Sequence, residues 1–292
     1  MKHTPLTAAS LQEHPLPLPQ AGSKDARGRA LVVAGSASVP GAALLAAVAA
    51  LRAGAGRLRI ATVARAAAGM GLMVPEAMVV GLPETADGAV DVAQAATSLR
   101  TLADGCDAVL IGPGMLGEAP TAALAVELLG ADASFILDAT ALSELRARAG
   151  AVRARAGRAV VTPHAGEMAR LLDRRREAVE ADPLEAARAA AELLGSVVVM
   201  KGASTWIVEP QGGRWLYAGG GIGLATSGSG DVLAGLIVGL LARGLPPISA
   251  ALWGVFLHGE AGRRLAGAIG PVGFLARELS GVVPELMRET MG

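Results

Sequence analysis

The sequence predicts a three-layer α/β/α fold. One mostly parallel sheet is covered by helices on both faces and ends in an antiparallel meander at one edge. Three observations carry this. From residue 30 onward, short apolar runs alternate with Ala- and Leu-rich helical stretches, and strands that are apolar throughout belong to a sheet covered on both sides. Three β-rich runs then follow one another across turns too short to hold a crossover helix. Beyond residue 231 the patterns are helical to the end.

In order, the β-rich runs are 31–34, 57–61, 77–80, 108–111, 135–137, 159–161 and 197–200, with helical patterns at 41–53, 92–102, 121–129 and 185–194 between them. The meander comprises 197–200, 205–209 and 214–218, one of its turns being Pro210-Gln211-Gly212-Gly213. Residues 1–28 are polar and Pro-rich without periodicity, and read as a leader that lies on the surface or swaps onto a partner subunit. No linker or repeat interrupts the remainder, so residues 29–292 read as one domain.

Composition excludes several classes. Lys+Arg and Asp+Glu are both 26, leaving no net charge and no basic face for nucleic acid. The mean hydropathy of +0.47 raises the question of a membrane. The most apolar runs, 42–51 and 232–242, each stop at an Arg, well short of the roughly 20 residues that cross a bilayer. The N-terminal stretch has prolines and charges but no apolar segment typical of a secretion signal. A single Cys, Cys106, allows no internal disulfide, so a reducing, cytoplasmic location is expected.

The richest stretch is Gly223-Leu224-Ala225-Thr226-Ser227-Gly228-Ser229-Gly230-Asp231, running straight into an apolar helix. Glycine lets a ligand approach the backbone. The first turn of a helix carries unpaired N–H groups and partial positive charge. Together they make an anion site, and phosphate is the usual anion. Asp231 stands where that phosphate would lie. It has two readings: it caps the helix, or it takes a proton from the hydroxyl of a second ligand. An Asp of ordinary pKa, about 3.9, is ionised at neutral pH.

Ligands of such sheets sit at the carboxyl ends of the strands, where this chain carries small, polar or ionisable residues. Gly35 to Ala43 form a strand-to-helix turn in which Gly41 and Ala42 would admit a ligand. The spacing is not GxGxxG, so a dinucleotide fingerprint is absent. Gly112-Pro113-Gly114 follow the fourth run, and Asp138 ends the fifth. Thr162-Pro163-His164 open a helix. Thr162 suits the cap, Pro163 and Glu167 the first turn, which leaves His164 to donate to a ligand. Lys201-Gly202-Ala203-Ser204-Thr205 join two meander strands, either as a plain tight hairpin or with the Lys neutralising a phosphate. GxxxxGK[ST] does not occur, which removes a P-loop nucleotidase.

The ordered set GSASVPGAA, GPGMLG, LDATAL, TPHAGEMARLL, KGAST and GLATSGSGDVLAG, spanning about residues 28–270, resembles the ADP- or ATP-dependent NAD(P)H-hydrate dehydratases. GSGD alone is shared with many small-molecule kinases; TPHxGEM with KGAxT is much more specific. The resemblance implies a ribokinase-like fold. It also implies repair of the S form of hydrated NADH or NADPH: the nucleotide phosphorylates the ring hydroxyl, phosphate leaves, and the nicotinamide double bond returns. Ala42, Gly114, His164 and Asp231 would contact the hydrate. Lys201, Gly202, Ala203, Ser204, Thr205 and Gly230 would hold ADP or ATP. Gly228, Ser229 and Gly230 would form an anion hole, and Asp231 would activate the hydroxyl. Mg²⁺ as cofactor and a homotetramer come from the same analogy.

Three departures stand out. Ser38-Val39 replace a Tyr usual in the first loop, Thr140 replaces the second Asp of LDADAL, and Gly221-Ile222 replace Asn-Pro. An epimerase-like domain, found in some relatives, is not expected before residue 28. Two other functions fit the loop: a kinase of the same fold acting on a sugar or vitamin-precursor hydroxyl, and a nucleotide-binding protein without catalysis.

Overall fold

The structure, a computed structural model, describes residues 3–17 and 24–291. Its ten strands are β1 (Thr4–Pro5), β2 (Arg29–Val33), β3 (Arg57–Val63), β4 (Ala77–Leu82), β5 (Ala108–Ile111), β6 (Ser134–Leu137), β7 (Ala159–Val161), β8 (Val197–Met200), β9 (Thr205–Val208) and β10 (Arg214–Tyr217). They form one sheet in the order β1-β10-β9-β8-β7-β6-β5-β2-β3-β4. From β4 to β8 every pairing is parallel; β8-β9 and β9-β10 are antiparallel. All seven runs read from the sequence are strands, and the meander lies toward one edge.

The helices are α1 (Gly41–Arg52), α2 (Ala64–Met73), α3 (Val92–Asp104), α4 (Glu118–Leu128), α5 (Ala149–Arg153), α6 (Ala165–Leu172), α7 (Arg176–Ala181), α8 (Pro183–Leu194), α9 (Ser229–Ala242), α10 (Pro247–Ala268) and α11 (Ala276–Met291). Side chains alternate across a strand, and β2 shows what this does to the core. Ala30 and Val32 join the apolar cluster built on α1, α9, α10 and α11, whereas Leu31 and Val33 join the one built on α3, α4, α6 and α8. Small residues set the closest contact in the first layer. A Cβ on Gly235 or Gly239 of α9 would stand 2.3 or 2.4 Å from the backbone oxygens of Ala46 or Ala50 on α1. No helix among the described residues is long and apolar enough to cross a membrane.

The N-terminal stretch departs from expectation. β1 pairs in parallel with β10 and becomes the outermost strand. Leu6, Leu11 and Leu16 are buried in the same core as α9 and α10. Trp253 Nε1 donates to the His14 carbonyl at 2.6 Å, and His14 Nδ1 lies 3.0 Å from Ser249 Oγ. Residues 3–17 are therefore a strap sewn onto the domain. Leucines spaced five apart in a polar stretch follow neither a helical nor a strand period, which is why the sequence conceals them. Residues 18–23, with Pro19 of the Pro-rich stretch, lie outside the described residues.

Candidate active site

Gly228 is the N-cap of α9, held at φ 85°, a conformation that favours glycine. A Cβ there would stand 2.4 Å from Leu45 of α1. Asp231 lies in the first turn but makes no cap bond, so the capping reading fails. Its Oδ2 falls 3.8 Å from the same Cβ position on Gly228, on the side facing α1. The Ser229 amide donates to the Thr226 carbonyl at 3.2 Å, which removes it from the expected anion hole.

The ends of β6, β7 and β8 meet beside this turn. Thr162 Oγ1 donates to Asp138 Oδ1 at 2.6 Å, and Lys201 Nζ donates to the same oxygen at 2.9 Å. Glu167 Oε2 is 3.9 Å from Nζ. The Lys201 amide donates to the Pro163 carbonyl at 2.8 Å, continuing the sheet so that His164 and Lys201 lie side by side. A Cβ on Gly230 would stand 3.5 Å from Lys201 Nζ, which brings the ammonium to the start of α9.

One ammonium faces three carboxylates in this group. Burial disfavours the Lys201 ammonium, but the carboxylates of Asp138, Glu167 and Asp231 outweigh it and raise the pKa. Burial, then the charge of Asp138, pushes Asp231 up to about 6 against the pull of Lys201. Asp231 is thus not the ordinary carboxyl the sequence suggests. It titrates just below neutrality, where a general base is both ionised and able to hold a proton.

His164 corrects the reading of its helix. It is itself the N-cap of α6, its Nδ1 accepting from the amides of Gly166 at 2.9 Å and Glu167 at 3.3 Å. Glu167 Oε2 accepts from the His164 amide at 2.8 Å, completing a capping box. Thr162, expected to cap, is spent on Asp138, and Pro163 lies before the cap. The ring remains half exposed and borders a cavity.

That cavity measures about 890 Å³, the size that holds a nucleotide-like ligand. Of the residues singled out from sequence, His164, Lys201, Gly202, Ala203, Thr205, Ser229 and Gly230 line it; Ala42, Gly114, Ser204, Gly228 and Asp231 do not. Ala42 and Gly114 instead meet each other. Gly114 has φ 64°, and a Cβ on it would stand 2.6 Å from that of Ala42 and 2.8 Å from the Val39 carbonyl. Thr140 donates to the Met115 carbonyl at 2.8 Å, so it braces the Gly114 loop in place of a carboxylate. Ile222, at the position usual for Asn-Pro, is exposed on the cavity rim.

Two ionisable lining residues escaped the sequence reading. Tyr217 donates to Glu260 Oε1 at 3.0 Å, and its ring lies where a Cβ on Gly259 would be, 2.0 Å away. His258 Nε2 lies 2.9 Å from Ser229 Oγ and 3.0 Å from the Ser229 carbonyl oxygen. A lone imidazole inside an otherwise apolar stretch of α10 was the available signal.

Residues 30–285 match the sequence model of a family described as NAD(P)H-hydrate dehydratase. The chain belongs to this family. An ADP-dependent (S)-NAD(P)H-hydrate dehydratase of Xanthomonas campestris is 50% identical, over 97% of this chain and 95% of that protein. The ADP/ATP-dependent NAD(P)H-hydrate dehydratase of Bacillus subtilis, co-crystallised with ATP/Mg²⁺, superposes with a TM-score of 0.84 at 29% identity, covering 99% of each chain. A ribokinase-like superfamily protein of Enterococcus faecalis superposes at 0.82 with 26% identity, over 99% of this chain and 96% of that one. For this dehydratase-family chain the ribokinase-like fold expected from sequence is thereby established.

Proposed function

We propose that this protein returns the S form of NADH or NADPH hydrate to NAD(P)H at the cost of a nucleotide phosphate. The observation that carries the reading is Asp231, a carboxyl held near pKa 6 in the first turn of a helix beside a nucleotide-sized cavity. Asp231 takes the proton of the ring hydroxyl as its oxygen attacks the terminal phosphorus. The phosphorylated C–O bond then breaks, inorganic phosphate leaves, a proton departs from the neighbouring carbon, and the ring double bond forms.

The cavity suits the nucleotide, held by Lys201 to Thr205 and by Gly230. The Ala42–Gly114 contact, His164 and Asp231 suit the hydrate. Donors for charge growing on the phosphate are the Ser229 hydroxyl and the amides that follow it in α9, rather than the Ser229 amide. Mg²⁺ would enter with the nucleotide. Among the described residues no three His, Cys, Asp or Glu side chains gather into a metal cage, so phosphate oxygens and water would bind the ion, as is usual for it, and it would offset phosphate charge. ADP is the expected co-substrate, by likeness to the Xanthomonas enzyme. A homotetramer follows from the family resemblance, and a cytoplasmic location from the single Cys.

The test is incubation with hydrated NADH, Mg²⁺ and either ADP or ATP. Regain of the near-ultraviolet absorbance of reduced nicotinamide, with release of inorganic phosphate, supports the reading. A stable phosphate ester would make the protein a kinase; binding without turnover would make it a nucleotide-binding protein.

A further inference from the structure

His258 projects from α10 to the first residue of α9, and both it and Ser229 border the cavity. Its Nε2 faces two oxygens of one residue, the hydroxyl at 2.9 Å and the carbonyl at 3.0 Å. A carbonyl oxygen can only accept. Were Nε2 unprotonated, its lone pair would oppose that of the carbonyl, and the Ser229 hydroxyl would be drawn to the ring. With the proton on Nε2, one N–H serves both oxygens. The hydroxyl then accepts from the imidazole, and its own proton is left to point elsewhere. The open direction is the cavity.

We propose that His258 is a positioning residue that fixes the Ser229 hydroxyl as a donor to the phosphate of the bound nucleotide. This rests on the nucleotide-dependent reading above. It explains why the loop tolerates losing the Ser229 amide to Thr226: the side chain replaces the main chain as the donor at that position. The ring must stay neutral, since a second ring proton would place a buried charge close to Lys201. Burial holds its pKa down to about 4, the Ser229 carbonyl pulling the other way and Lys201 adding a smaller depression. The charged and titratable groups around it are Lys201 from the end of β8 and, beyond that ammonium, Asp138, Glu167 and Asp231.

The test uses the whole protein and four variants. Ser229→Ala and His258→Leu should each lower kcat by about 100-fold, the usual loss for one such donor. Each should weaken ADP binding by about tenfold, as for one hydrogen bond to a charged group. His258→Gln places an amide N–H near the Nε2 position and should recover most of both losses. The double variant Ser229→Ala/His258→Leu should be no worse than Ser229→Ala. In the unmodified protein, nitrogen NMR of the histidines should show His258 protonated at Nε2 and unprotonated at Nδ1 from about pH 5 to about pH 8. This last readout survives even if a variant fails to fold. A proton on Nδ1 instead, or His258→Leu with unchanged ADP affinity, overturns the proposal. If no hydrate is turned over, the dehydratase reading falls by itself, while the ring's tautomer and the ADP affinities still decide the role of His258.

Discussion

Lys201 gives one N–H to Asp138 at 2.9 Å while its ammonium reaches the turn that carries Asp231. The two carboxylates therefore share one cation, though only Asp138 is bonded to it. Asp138 also holds the Thr162 hydroxyl. Asp231 is left with burial and a like charge, which raise its pKa, and on the proposed reading this leaves it free to act as the base.

Asp231→Asn should fold, bind ADP and turn over at least ~100-fold more slowly, the lower end for losing a general base. It should also be more stable at neutral pH. The folded pKa of about 6 lies above the unfolded value, so the folded state binds this proton more tightly. The carboxyl therefore lowers stability progressively as pH rises from about 4 through about 6. Urea unfolding at pH 4 and pH 8 should show the variant gaining stability mainly at the higher pH; equal gains at both would contradict the raised pKa.

With Asp231 as the base, the acid limb of kcat/KM in the unmodified protein is expected near pH 6. Asp138→Asn removes the charge that helps raise it, so the limb should move to lower pH. A rate profile of that variant with an unmoved limb would separate Asp138 from the base.

Lys201→Ala leaves the buried Asp138 without its cation. Breaking a buried pair from one side costs about 3–5 kcal/mol, so this variant should lose stability as well as nucleotide affinity. Replacing both partners, Lys201→Met with Asp138→Leu, should restore much of the stability and none of the affinity, as read by chemical denaturation and calorimetry.

His164→Ala should cost about 1 kcal/mol through loss of the cap. His164→Asn should keep the cap, and any rise in the KM for the hydrate that persists in the Asn variant measures ligand contact alone. An Asn variant with normal KM would reduce His164 to a cap.

Gly235→Ala meets the Ala46 backbone oxygen at 2.3 Å. A main-chain atom cannot swing aside, so α1 and α9 must part, at a cost of about 1–3 kcal/mol. Parting them displaces Leu45 from Gly228, so kcat should fall alongside the midpoint of unfolding.

The strand pattern was legible because the central strands are apolar and buried, as in β5 and β8, and the seven β-rich runs stood out against Ala-rich helices. The glycine-rich loop before α9 was legible because few sequences place so many glycines ahead of an apolar helix. What the sequence could not show was pairing across distance. Asp138 read as a strand end, Glu167 as a helix-start residue, and Lys201 as a phosphate ligand; their mutual contacts depend on β6, β7 and β8 lying side by side. His164 was misjudged because imidazole is an uncommon cap, although its Nδ1 accepts as an Asn oxygen would. His258 lies 29 positions from Ser229, and only the packing of α10 on α9 brings them together.

The strap formed by residues 3–17 has an optical consequence. The chain has three tryptophans, and each one touches this segment: Trp206 stacks edge-on with His3 at 5.0 Å between centroids, Trp215 with His14 at 6.0 Å, and Trp253 donates to the His14 carbonyl. Thr205 and Tyr217, at the ends of the two strands that carry Trp206 and Trp215, line the cavity. Intrinsic fluorescence of this protein is thus a built-in gauge of whether the strap is docked, read from the hairpin that walls the cavity.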